Sequence, residues 1–386
     1  MQSKNKPLYM IILEDLKARI LNGEFKADQQ LPTEVELAEQ SGVSRITSKR
    51  ALIELEREGL IYRKRGSGSY VKKQDNEHKL PEFTTMHSMS NPNPIISMIL
   101  PYLATNELEY IQGASEYLDS KGYYLSIHYS NWDKNKEKEL LLRVPKIGSR
   151  GIILYPMSTM INIDVLNALY WNNYPLIMID QYIESLPVTS VVSDNLEGGY
   201  QATKKLIDLE HKRIAFISSI SIEYRSSVRD RYQGYCKALR DHHLPVDPEL
   251  IITDFYEEAD EQEDKNAFYK TMISRLMNIG VTAIQVEHDH LAVDLLRSAL
   301  DMGIRVPDQL SIIGFDDHMI SRLVEVPLTT ISQDCKEIGR RAAELIVQQI
   351  QSPDKAAQQI TVPVCLIERG STSSPSLFNL VPTQRK

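Results

Sequence analysis

From residue 95 to residue 316 the chain repeats one pattern, a short apolar run followed by an amphipathic stretch. The runs are IISMIL, YYLSIHY, GIILYP, PLIMID, SVVSDN, RIAFIS, LIITDF, TAIQV and LSIIGF. Between them lie segments with helical spacing, among them 106–120, EGGYQATKKLIDL, RYQGYCKALRDH and 291–302. Strands apolar on both faces and separated by helices belong to parallel βαβ units, because a parallel neighbour is reached only by a crossover that lays a helix over the sheet. The runs are too many for one half of such a fold, so the spacing predicts an α/β architecture of two doubly wound lobes. Open sheets of this kind bind ligands beyond the carboxyl ends of their strands. Asp180 closes PLIMID, Phe255 closes LIITDF, His288 and Asp289 follow TAIQV, and Asp316 follows LSIIGF. Any one of these also fits a solvated loop residue or a helix cap; what they share is a topological position.

A chain of 386 residues exceeds what one hydrophobic core serves, so a small domain beside a larger one is expected. With 42% hydrophobic and 25% charged residues the composition is that of an ordinary globular protein, and no window approaches the ~20 consecutive apolar residues of a membrane span. No membrane partner is expected. Glu14, Asp15, Lys17 and Arg19 stand where a secretory signal would be apolar, which places the expected compartment in the cytoplasm. Cys236, Cys335 and Cys365 are far apart and form no CxxC pair, so neither a disulfide framework nor a metal site is expected. The formal net charge of −8 is unevenly placed: residues 1–73 carry a net +4 and the remainder −12. A basic end on an acidic chain directs any search for nucleic-acid contacts to the N-terminus.

There, Leu8, Ile12, Leu16 and Ile20 form a helical stripe that stops before Asn22-Gly23. Thr33 with Glu36 is a capping-box signature opening a short second helix, which Ser41-Gly42 ends. Ser44 then caps a third helix with a predicted inner face of Ile46, Ala51, Leu52 and Leu55, while Arg45, Ser48 and Lys49 are expected to project from its first turns. Two short helices around a Gly-containing turn are a helix-turn-helix, and Arg45, Thr47, Ser48 and Lys49 sit where such a motif reads base edges and phosphates. LIYRKRGSGSYVKK follows as two β-rich runs joined at Arg65-Gly66-Ser67-Gly68, a hairpin with a basic tip. A basic helical subdomain with a surface hairpin is the blander description of the same residues. Residues 74–93, polar with Pro and Asn, read as a linker.

On this order of elements, and on LPTEVELAEQSGVSRITSKRALIELEREGLIYRKRGSGSYV, residues 6–73 resemble the GntR family of bacterial regulators. The resemblance implies operator contacts at Glu34, Ser44, Arg45, Thr47, Lys49 and the wing residues Arg65, Gly66, Ser67 and Gly68. Ser48-Lys49 departs from the family's common Val-Arg, and lysine lacks arginine's two-pronged donor set. Residues 94–370 resemble the LacI/GalR repressors and the type-I periplasmic sugar-binding fold, through SVVSDNLEGGYQATKKLIDLEHKRIAFI, RDRYQGYCKAL, GIRVPDQLSIIGFDD and PLTTISQDCKEIGRRAAELI, leaving 371–386 as a tail. That likeness implies chain crossings between lobes near Asp194, Ser332 and Thr361, and effector contacts at Glu107, Asp180, Arg225, Ser227, Arg231, Phe255, His288 and Asp316. Glu210 replaces a Gly usual in the family, and His288 an Asn or Gly.

The two resemblances together imply a homodimeric transcriptional repressor that a small sugar releases from operator DNA, and the pairing of reader and sensor resembles the arabinose repressors of Gram-positive bacteria. Carboxylates accept sugar hydroxyls, Arg231 donates to ring oxygens, and Phe255 is expected to offer an apolar face. A phosphorylated or non-sugar effector stays open through Arg225, as does a constitutive dimeric DNA-binding protein. An enzyme is not expected, nor a cofactor: GxxxxGK[ST], GxSxG and HExxH are absent, and GSGSY lies in the hairpin instead of a βα turn.

Overall fold

The computed structural model describes residues 8–22, 24–64, 67–72, 94–262, 264–353 and 356–375. The chain divides into two units, Met1–Leu80 and Pro81–Lys386. The linker expected at 74–93 and residues 376–386 lie outside the described residues.

In the small unit α1 (Leu8–Leu21) lays Ile12, Leu13, Leu16 and Ile20 on a core shared with α2 (Glu34–Ser41) and α3 (Arg45–Arg57). Both halves of the capping box form: the Glu36 N–H donates to the Thr33 hydroxyl, and the Thr33 N–H to the Glu36 carboxylate. Gly42, at φ 63°, takes the left-handed turn that ends α2. The Ser44 hydroxyl accepts from the Thr47 N–H and opens α3. Strands β1 (Ile61–Lys64) and β2 (Gly68–Val71) pair antiparallel with Ile61 opposite Val71. The predicted inner face of α3 needs a correction. Ala51, Leu52 and Leu55 are buried together with Ser48, but Ile46 is 80% exposed. At 100° per residue Ile46 points away from the other four, so its phase outweighs its hydrophobicity.

The large unit opens with β3 (Ile95–Leu100), α4 (Thr105–Ser120), β4 (Tyr124–Tyr129), α5 (Lys134–Arg143), β5 (Ile152–Leu154), α6 (Ile163–Trp171), β6 (Leu176–Ile179) and β7 (Thr189–Ser193). The chain then crosses to a second lobe: α7 (Asn195–Asp208), β8 (Ile214–Ile217), α8 (Ser226–Asp241), β9 (Ile251–Ile252), α9 (Tyr256–Asp260), α10 (Lys265–Asn278), β10 (Ala283–Val286), α11 (Asp289–Asp301), β11 (Ser311–Asp316), α12 (Ile320–Leu323) and β12 (Thr329–Ser332). It returns to the first lobe for α13 (Cys335–Gln351) and β13 (Gln359–Val362), and crosses again into β14 (Cys365–Ile367). The strand orders are β13-β7-β6-β5-β3-β4 and β14-β12-β11-β10-β8-β9, all parallel except β14 against β12. The crossings fall where expected, beside Asp194, Ser332 and Thr361.

Helices cover both faces of each sheet, as uninterrupted apolar strands require. In the first lobe Leu118, Ala342 and Ile346 pack on one face and Leu140, Leu141 and Leu166 on the other. In the second, Ile273 and Leu295 oppose Leu206 and Tyr235. Glycines on both partners of each covering pair, Gly113 with Gly339 and Gly199 with Gly234, set how closely the helices cross. A Cβ on Gly199 would stand 2.1 Å from the Arg231 carbonyl oxygen, and one on Gly339 the same distance from that of Tyr110. Only glycine permits such approaches, and each fixes the backbone of a residue that reaches the space between the lobes. Glu210 adopts φ 70°, the conformation for which glycine is suited.

The second lobe extends further than expected. Ser371, assigned to the tail, is buried; its hydroxyl donates to the Ile312 carbonyl and accepts from the Thr329 N–H, while the Ser373 N–H donates to Ser311. Strand-edge backbone groups that would otherwise lack partners draw 371–375 into the fold.

Candidate functional site

In the small unit the first two turns of α3 present Arg45, with a side chain 71% exposed, and Lys49, also exposed. The first turn carries the positive end of the helix dipole, and Ser44 and Thr47 add hydroxyls 2.8 Å apart. Glu34, at the start of α2, accepts from Arg45 Nε at 3.3 Å and from Arg63 Nη2 on β1 at 2.6 Å. Burial pushes the Glu34 carboxyl up, but the two guanidinium groups outweigh it and hold it below its usual range. Glu34 therefore acts within the unit, aligning two arginines. Ser48 does not project: it is fully buried, and its hydroxyl donates to the Glu34 carbonyl at 2.6 Å, pinning α3 to α2. A small polar residue facing a neighbouring helix carbonyl is driven inward by that bond. In the hairpin, Gln30 donates to the Ser67 carbonyl, Gly68 has φ 119°, and Lys64 lies over the stacked rings of Tyr62 and Tyr70. Arg65 and Gly66 lie outside the described residues.

In the large unit a cavity of about 100 Å³ lies between the lobes. Glu107, Asp180, Tyr102, Tyr110 and Tyr155 line it from the first lobe; Arg225, Ser227, Arg231, His288, His290, Asp316 and His318 from the second. Asp180 follows β6 and Asp316 ends β11, both at strand carboxyl ends and both at positive φ, 65° and 108°. Non-glycine residues persist in such conformations where the surroundings dictate them, typically at ligand sites.

Arg231 is the keystone of the second lobe's wall. Nε donates to Asn195 Oδ1 at 2.9 Å, Nη1 to the Glu287 carbonyl at 2.5 Å, and Nη2 lies 3.3 Å from Asp316 Oδ1. The guanidinium stacks 3.6 Å from the centre of the Phe315 ring. Gln333, at the second crossing, donates to the same Asp316 oxygen at 2.6 Å. Burial pushes the Asp316 carboxyl up to about 6 although Arg231 and His288 pull the other way. Burial likewise raises the Glu107 carboxyl and lowers the His288, His290 and His318 imidazoles. On the facing wall Tyr110 donates to Asp180 Oδ1 at 3.3 Å.

The lobes also touch around the cavity. The Tyr182 N–H donates to Ser226 Oγ at 2.9 Å and its hydroxyl to Asp230 at 3.1 Å, Arg229 pairs with Glu184 at 3.0 Å, and the Thr159 N–H reaches the Tyr224 carbonyl. Trp132, in the left-handed conformation at φ 58°, stacks on Tyr102 and carries the Arg225 guanidinium 4.6 Å above its ring. A bulky residue in that conformation marks a constrained loop, here one that lays an aromatic bridge from lobe to lobe.

Residues 8–71 match the gntR family of bacterial regulatory proteins, and residues 183–372 match the periplasmic binding protein-like domain. The arabinose metabolism transcriptional repressor of Geobacillus stearothermophilus is 33% identical over 379 residues, covering 96% of this chain and 99% of that protein. This chain is a gntR-family transcriptional repressor. The repressor is also 30% identical to the arabinose metabolism transcriptional repressor of Halalkalibacterium halodurans, over 95% of the chain and 96% of that protein. Its large unit has the fold of a LacI family regulator from Enterococcus faecium solved with bound ribose, at a TM-score of 0.60, 24% identity, and coverage of 73% of this chain and all of that one. A CelR–cellobiose complex matches 92% of the repressor and 94% of that chain at a TM-score of 0.62 and 21% identity.

Of the eight effector candidates in the repressor, seven line one cavity and Phe255 does not. Phe255 is buried in the second lobe's core against Phe268, 5.7 Å between ring centres. It follows β9, a two-residue strand on the sheet's outer edge, whose end lies far from the crossings. The aromatic wall is instead Tyr102, Tyr110 and Tyr155. Tyr102 lies just past β3 and Tyr155 just past β5, so the rule that selected Asp180, applied to the first two inner strands, reaches both. His290, in the first turn of α11, and His318, in the loop after β11, carry no pattern of their own in the sequence.

Proposed function

We propose that the repressor controls a carbohydrate-utilisation operon and leaves its operator when an uncharged sugar settles between the two lobes. The observation that carries this reading is the state of Arg231: with its three nitrogens engaged by Asn195, Glu287 and Asp316, it holds a carboxylate toward the cavity, and its positive charge is already balanced by that carboxylate instead of being free to neutralise a phosphate. Glu107, Asp180 and Asp316 then act as acceptors for ligand hydroxyls, and the three tyrosines face the apolar side of a ring. A phosphorylated ligand would meet more carboxylate than guanidinium, with Glu107, Asp180, Glu287 and Asp316 in the lining against Arg225 and the Asp316-paired Arg231.

Arabinose is the first sugar to test, because the two full-length relatives are arabinose metabolism repressors; ribose and cellobiose follow from the solved neighbours. The repressor acts as a homodimer in the cytoplasm, where two reading helices meet successive major grooves of a near-palindromic operator. Met319 and Leu323, exposed beside and on α12, supply apolar surface for that association. A coupling of ~1–3 kcal/mol between cleft and reader weakens DNA binding about 5- to 150-fold. In a DNA-release titration against arabinose, ribose, cellobiose and arabinose 5-phosphate, one of the uncharged sugars should free the operator at the lowest concentration. Release by the phosphate ester alone, or by none of the four, would overturn the reading.

A further inference from the structure

We propose that Ile46 is a specificity-determining residue of the reader, seating its side chain against the 5-methyl group of a thymine in the major groove. The inference rests on the reading of α3 as the DNA-contacting helix and goes on to say which base edge one residue selects.

Single exposed aliphatic side chains are common on protein surfaces, and exposure alone carries nothing. The position of Ile46 sets it apart. The buried face of α3 is Ser48, Ala51, Leu52 and Leu55, and Ile46 stands on the opposite side of the helix, at the centre of the outward face. It belongs to the first helical turn, from which a recognition helix reaches base edges. Two exposed cations flank it, Arg45 on one side and Lys49 one turn on. The polar residues around it have other work: Ser44 and Thr47 are hydrogen-bonded to each other, Ser48 to the Glu34 carbonyl, and Arg50 lies 4.1 Å over the Tyr9 ring, turned toward α1. The outward centre of the reading turn is therefore apolar.

The edges that B-form DNA displays in the major groove are donors and acceptors with one exception, the thymine methyl. An isoleucine placed there is indifferent to the hydrogen-bonding edges of G, C and A and gains by burial only against that methyl. Its β-branched side chain is already held near one rotamer in a helix, so docking orders it little further. The flanking cations engage phosphates or guanine edges without competing for the same group.

The experiment uses the full chain and a duplex that the wild type selects from a randomised pool. Each thymine is replaced in turn by deoxyuridine, which deletes the methyl and nothing else. At one position in each half-site the replacement should weaken wild-type binding about three- to fivefold, the loss expected for one buried methyl group, and replacement in both half-sites about ten- to twenty-fivefold. Ile46→Ala, which alters both reading helices, should lose about as much on the intact duplex as the double replacement does and be insensitive to those same uracils, while Ile46→Val keeps part of the sensitivity. The slope of log affinity against log salt should not change in Ile46→Ala, since no phosphate contact is lost, and its melting temperature should match the wild type. Uracil scanning with no effect, or the same effect in wild type and Ile46→Ala, overturns the assignment, as does a shallower salt slope in the variant. A wild type that selects no duplex removes the DNA reading itself, an outcome distinct from the first two.

Discussion

Arg45 and Arg231 each pair with a carboxylate, yet the two pairs are built in opposite ways. Arg45 is 71% exposed and gives Glu34 one nitrogen, leaving its two Nη groups unengaged among the described residues. Arg231 is 6% exposed, with every nitrogen committed and its face against Phe315. An exposed pair in water contributes little to stability, so Glu34 mainly aims a side chain whose remaining donors face outward. A buried pair is costly to break, because the surviving charge has no solvent to turn to. The small unit keeps its arginine available for a partner, and the large unit uses its arginine to hold another residue in place for one.

Three experiments press on this contrast. Arg231→Ala leaves Asp316 buried without its main counter-charge and should destabilise the large unit by about 3–5 kcal/mol, read as a lowered midpoint in denaturant while the small unit's transition stays put. An unchanged midpoint would mean that the guanidinium is as dispensable as a surface one. Arg45→Ala should do the reverse, leaving both transitions where they are and weakening operator binding by ~1–3 kcal/mol in a gel-shift titration; undiminished affinity would remove Arg45 from the reading surface. The smallest effect is in the pH dependence of sugar binding. Asp316, pushed up to about 6 by burial, is ionised at pH 7.5, and the ionised form is the one that accepts ligand hydroxyls. Affinity should hold above pH 7, fall as the carboxyl protonates, and reach about tenfold loss near pH 5. Calorimetric titration of Asp316→Asn should show a flatter profile through that range, and an equally steep one would point to the neighbouring histidines.

The architecture was legible in the sequence because burial on two faces leaves an apolar run whatever lies around it. Each of the nine runs became a strand, though LIITDF kept only Ile251 and Ile252. Of the strands that left no such trace, β13 and β14 are short edge pieces of mixed burial, whereas β12 is buried but reads TTIS, its threonine hydroxyls satisfied by Thr372, Arg369 and Asp289 instead of by water. Site residues were legible where topology alone decides their place, as with Asp180 and Asp316 at inner strand ends. Phe255 misled because the same rule says nothing about distance from the crossings. Ile46 and Ser48 misled in tandem: residue type placed the isoleucine inside and the serine outside, and one helix phase reversed both.

The three crossings between lobes have a consequence for how the protein is made. As the chain leaves the ribosome the small unit is complete once Val71 has emerged. The first lobe then begins with β3 but cannot close, since α13 and β13 arrive only after the whole of β8 to β12 has been synthesised. At typical elongation rates the face later covered by Ala342 and Ile346 stays open for roughly 10–30 s. Each new copy therefore has a finished DNA reader before it has a sensor, and its half-built lobe is the stretch on which a chaperone, or a neighbouring nascent chain, has time to act.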